Sequence, residues 1–87
     1  MHEHAIMNDL LRRIDEVARS EGARRVTRLN VRLGALSHMT PEHFLEHFED
    51  AARGTVAEGA QVNVEQGADI YARDALDVLL ESIDVER

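Results

Sequence analysis

The 87-residue chain has no cysteine. Disulfides and thiolate zinc sites are therefore excluded, and the usage is that of an ordinary cytoplasmic protein. Aromatic residues are scarce, with two Phe and one Tyr, so aliphatic side chains must build most of any core. No apolar run approaches the roughly 20 residues that span a bilayer. The first residues carry neither the basic n-region nor the apolar h-region of a secretory signal, which again leads us to expect a cytoplasmic protein. Positive charge is also in deficit. Ten basic against seventeen acidic residues give a net charge of −7, which argues against nucleic acid and against anionic membranes as partners.

An apolar fraction of 44% is too high for a disordered chain. The length suits one domain, 1–87, near the size at which a single hydrophobic core is marginal. The charge is unevenly spread: residues 1–33 hold seven Arg against five acids, and residues 34–87 hold three Arg against twelve acids. This pattern suits either a solvated surface or an Arg-rich face prepared for an acidic partner.

From Ala5 to Ser20, Ile6, Leu10, Ile14 and Val17 recur at steps of three and four, the spacing of an amphipathic helix. Gly22 supplies a stop. In "VTRLNVRL", Leu29, Val31 and Leu33 alternate with Arg28, Asn30 and Arg32, which predicts a strand with one buried face. A second helix begins at "TPEH", with Thr40 as N-cap, Pro41 in the first helical position and Glu42 at the positive end of the dipole. Phe44, Leu45, Phe48, Ala51 and Ala52 form its apolar stripe, and Gly54 suits the C′ position. A short strand around Val62 and Val64 follows. "LLESIDVE" predicts a final strand with Leu79, Ile83 and Val85 on one face. The expected fold is α+β, two helices packed on a small three-stranded sheet in the order α-β-α-β-β. The stretch "QGADIYARDALD" fits either a loop or a short helical turn.

The opening "MHEH" concentrates metal donors. The Met1 amine and the His2 backbone nitrogen can close one chelate ring, and the same nitrogen with the His2 imidazole a second. Nitrogen donors in one plane suit Ni(II) or Cu(II). Glu3 can complete the plane through its backbone nitrogen or carboxylate, and His4 can add an axial imidazole. Set against this, two polar histidines on a frayed terminus need no metal at all. His43 and His47 have the i,i+4 spacing of a two-histidine metal site on a helix. Phe44 stands where the general-base Glu of the H-E-x-x-H motif would be, and the surrounding Glu42, Glu46 and Glu49 equally suit a charged solvent face. His38, in the loop before that helix, is a further candidate if the fold brings it to the N-terminal donors. There is no Cys nucleophile, no G-x-S-x-G and no Gly-rich phosphate loop, and Ser37 beside His38 lacks a third triad member. No enzyme is read from these residues.

Together "MHE", "GARRVTRLNVRLGALS", "TPEHFLEHFE", "GTVAEGAQVNVE" and the final "LLESIDVE" resemble the HypA/HybF family of hydrogenase nickel-insertion proteins, over roughly residues 1–65 and again 76–86. The resemblance implies a nickel metallochaperone that binds Ni(II) at its N-terminus. His2 would be the principal ligand, with Glu3 and the Met1 amine in support. Delivery would be to the large subunit of a [NiFe] hydrogenase, in cooperation with the GTPase HypB, and a homodimer stays open. The family normally carries a zinc module built on two C-x-x-C pairs between its last two strands. This chain has none, so no structural zinc is expected, and His4 is an unusual extra donor. The alternative is a metal-free docking module for HypB or a hydrogenase subunit.

Overall fold

The computed structural model describes residues 3–87, with Glu3 and His4 described by their backbone alone. Five elements follow one another: α1 (Glu3–Ser20), β1 (Arg25–Leu33), α2 (Pro41–Ala52), β2 (Gln61–Gln66) and β3 (Val78–Glu86). This is the order expected from the sequence. The sheet runs β2-β1-β3, with β2 parallel and β3 antiparallel to the central β1. β1 takes the middle because it is the strand with four fully buried residues, Val26, Leu29, Val31 and Leu33. Ile14 of α1 and Phe44 and Phe48 of α2 pack against them. Each such side chain contributes about 1.5–3 kcal/mol by leaving water.

The helix boundaries follow from local chemistry. α1 ends in a Schellman motif: Gly22, at φ 64°, donates to Arg19 O, and Ala23 donates to Ala18 O. In α2 the Thr40 side chain accepts from the His43 amide at 3.2 Å, with Pro41 starting the first turn. Gly54, at φ 78°, follows the C-cap Arg53 in the C′ position.

Two details differ from the expected pattern. The buried stripe of α1 is Met7, Leu10, Ile14 and Ala18, whereas Val17 stands 39% exposed at the open edge beside β3. In β3 the core face carries Val78, Leu80, Ile83 and Val85. Leu79 does not share it, because it pairs with Arg32 on the outer face. The cause is a bulge: Asn30 pairs with Ser82 and Val31 with Leu80, leaving Glu81 as the extra residue that reverses the phase. A second irregularity at Thr27 lets Val26 and Leu29 both face inward.

The outer sheet face is polar. Asn63 donates to Asn30, which donates to Ser82, forming a ladder across all three strands. All seven Arg of residues 1–33 are ion-paired inside the chain. Arg12 and Arg13 meet Asp9, Arg19 meets Asp15, and Arg24 and Arg25 share Glu86. Arg28 and Arg32 reach Asp84 and Glu81 of β3. Acids of the second half thus answer four of these arginines and acids of α1 the other three, and the solvated-surface reading of the charge pattern prevails.

The segment 67–77 between β2 and β3 is a chain of turns. It docks on the start of the β1–α2 loop: Gly34 N donates to Asp77 O at 2.8 Å and Leu36 N to Ala75 O at 2.6 Å. A Cβ on Gly34 would stand 2.3 Å from Ala75 O, so glycine is what permits this approach.

Candidate metal centre

Both helices begin at one end of the sheet. Near the start of α1, Ile6 shares a groove with Leu76 and Val78, and Val78 pairs with Leu33 at the end of β1. Just before α2, Met39 O accepts from the side chain of Gln66, which also pairs with Leu33. At the opposite end, Arg24 after α1 donates to Glu86 O, and Val56 after α2 accepts from Val26 N. Each helix therefore runs antiparallel to β1, and the two positive dipole ends share one edge of the molecule.

Of the predicted terminal donors, Glu3 and His4 are placed by their backbone alone, in the first turn of α1. Met1 and His2 lie outside the described residues. Glu3 opens α1, and its side chain and that of His4 are likewise outside the description. His38 sits in the loop between β1 and α2, exposed and in the left-handed region at φ 61°. Asn, Asp and His tolerate that region better than bulkier residues. Ser37 Oγ is shielded from solvent without a hydrogen-bond partner among the described residues, so no Ser–His pair forms here.

On α2 the i,i+4 spacing brings His43 and His47 together. Their rings stack with centroids 4.5 Å apart and planes 16° from parallel. His43 is exposed and His47 half-buried, on the flank of the helix about 100° round from buried Phe44 and Phe48. His38 does not join them: among the described residues no group of three or more His, Asp or Glu is gathered around a metal position. His38, His43 and His47 thus do not form one preformed three-histidine group. No described helix is long and apolar enough to cross a membrane.

The family profile described as "Hydrogenase/urease nickel incorporation, metallochaperone, hypA" matches residues 1–71 of this chain. The chain belongs to that HypA family. It is 39% identical over 66 residues to the hydrogenase maturation factor HypA of Chlorobium limicola, covering 76% of this chain and 57% of the relative. The HypA of Methylocella silvestris is 34% identical over 65 residues, 75% of this chain and 58% of the relative. The chain thus spans a little over half the length of the HypA relatives it matches. Its fold is that of the solution structure of the Ni metallochaperone HypA from Helicobacter pylori. That likeness has a TM-score of 0.79 at 18% identity, covering 99% of this chain and 98% of that one. A second solution structure of a HypA protein aligns with a TM-score of 0.75, also at 18% identity, covering 98% and 96%.

The profile match stops at residue 71, inside the turns that join β2 to β3. β3 beyond it is recovered in the fold comparison, consistent with the resemblance of "LLESIDVE" to the family's last strand. The eleven residues 67–77 that join β2 to β3 contain no cysteine.

Proposed function

We propose that this chain is a nickel carrier whose residues 1–87 act as one nickel-binding unit without the zinc module. It takes up Ni(II) at its N-terminus for delivery to the large subunit of a [NiFe] hydrogenase. The observation that carries the reading is the "MHE" start within a family match that begins at residue 1. The Met1 amine, the His2 backbone nitrogen and the His2 imidazole supply three donors, with Glu3 closing the set through its backbone nitrogen or carboxylate. His4 and His38 are the auxiliary imidazoles.

The position of α1 makes this chemistry reasonable. The first four N–H groups of a helix have no intrahelical acceptor. Since α1 begins at Glu3, ionising the Glu3 amide costs no helical hydrogen bond. The helix start is worth roughly half a positive charge, which disfavours a bare dication. Deprotonated amides or the Glu3 carboxylate would offset both charges. The role is one of binding and release, with no catalysis by the chain itself. Binding must displace protons from imidazolium and ammonium, and HypB and the hydrogenase subunit are the partners this role needs.

Isothermal titration of Ni(II) into tag-free protein, His2→Ala and amine-acetylated protein tests the site. The reading requires a loss of affinity in both altered proteins; equal affinity in all three rejects it.

A second reading, a metal-free docking module, is favoured by one feature. Ile70, Tyr71 and Leu76 in the β2–β3 segment stand 50%, 90% and 62% exposed, a concentration of apolar surface unusual for a short link. Retention of about one equivalent of Ni(II) through gel filtration would decide for the carrier.

A further inference from the structure

We propose that His43 and His47 are metal donors in their own right: a bidentate imidazole pair on α2 for a four-coordinate ion of the Zn(II) type. The spacing is that by which helices present two histidines to zinc on one face. The stacked rings, with centroids 4.5 Å apart, show that the two imidazoles already occupy the same space above the helix. With metal–nitrogen bonds of about 2.0–2.1 Å, two donors on one tetrahedral ion lie roughly 3 Å apart, within reach of rotation about each Cβ–Cγ bond.

The electrostatics of the helix favour a cation at this pair. Pro41–Ala52 contains Glu42, Glu46, Glu49 and Asp50 and no Lys or Arg. Asp50 is engaged by Arg53 just beyond the helix. Glu46 precedes His47 by one residue and follows His43 by three, so it flanks the pair on the same side of the helix. Phe44 and Phe48, one residue round the helix from each histidine, are buried in the core and fix the helix beneath the pair. Two imidazole donors alone would make this a weak, quickly exchanging site.

Donor chemistry separates the two sites. An amine with ionised amides in one plane selects Ni(II) or Cu(II), whereas a neutral imidazole pair with water accepts tetrahedral Zn(II). The inference therefore stands or falls independently of the proposed nickel role.

The experiment is a titration of tag-free His2→Ala protein with ZnCl2 alone, followed by the imidazole proton resonances of all the remaining histidines. The expected result is a saturable one-to-one change in which His43 and His47 move together and His4 and His38 stay in place. His43→Gln and His47→Gln should each weaken binding by about tenfold or more, since one donor is lost from a chelate. His43 is exposed, so His43→Gln keeps the fold and decides the matter even if His47→Gln does not. Affinity within twofold of the parent in His43→Gln overturns the proposal. So does a change confined to one imidazole, or one centred on His4 or His38.

Discussion

Replacing Gly34 with alanine would drive a methyl group into the backbone of the β2–β3 segment. The new Cβ would sit 2.3 Å from Ala75 O and 2.4 Å from Asp74 O, where ordinary contact requires about 3.5 Å. Neither oxygen is the end of a flexible side chain, so the segment itself must move by about 1 Å. That displacement breaks the hydrogen bonds from Gly34 N to Asp77 O and from Leu36 N to Ala75 O, worth about 1 kcal/mol each. It also uncovers Ala75, and forcing extra volume into a packed contact adds about 1–3 kcal/mol. The expected loss is about 3–5 kcal/mol, a large share of the stability of a domain this small. At about 4–8 °C per kcal/mol, Tm should fall by roughly 12 °C or more. Gly59→Ala is the control: its Cβ would meet open space, leaving only the cost of φ 78°, about 1–2 kcal/mol. Urea and thermal denaturation measure both, and amide exchange at Leu36 reports whether the segment has lifted. If Gly34→Ala is no more harmful than Gly59→Ala, the packing of this segment has been misread.

Thr40→Ala should cost about 1 kcal/mol by freeing the His43 amide, and should fray the first turn of α2 in amide exchange. Arg32→Met should change stability by no more than about 1 kcal/mol, because Arg32 and its partners Asp74 and Glu81 all keep more than a third of their side-chain surface in water; the difference should shrink in high salt. Nickel affinity should fall as pH drops below about 6 to 7, because protons compete for the imidazole and amine. Titrations at pH 7.5 and 5.5 check this, and equal affinity at both would speak against imidazole ligation.

The parts of the fold with a local cause were readable from the residues. Thr40–Pro41, Gly22 and Gly54 mark helix ends through hydrogen bonds and φ values that only nearby residues control. The strand Val26–Leu33 announces itself by alternation, and its central place follows from having the most apolar face. What escaped is what depends on partners distant in sequence. The bulge at Glu81 arises only when β3 meets β1, so strict alternation put Leu79 on the core face when it stands beside Arg32. Val17 fits the apolar period of α1, yet among the described residues no element covers the edge where it points. The turns of 67–77 lack periodicity and are held by a contact to Gly34, over thirty residues away. For the candidate metal centre, the i,i+4 spacing of His43 and His47 correctly foretold their meeting. His38 is near them in sequence, but its left-handed loop position leaves it outside any metal-holding group among the described residues. Met1 and His2 remain a reading from donor chemistry and family.

A nickel-edge anomalous difference map from crystals of tag-free protein grown with one equivalent of Ni(II) goes most directly to the central claim. The account predicts one dominant peak within bonding distance of the Met1 amine and a His2 imidazole nitrogen. A dominant peak on His43 and His47, with none at the N-terminus, would contradict it.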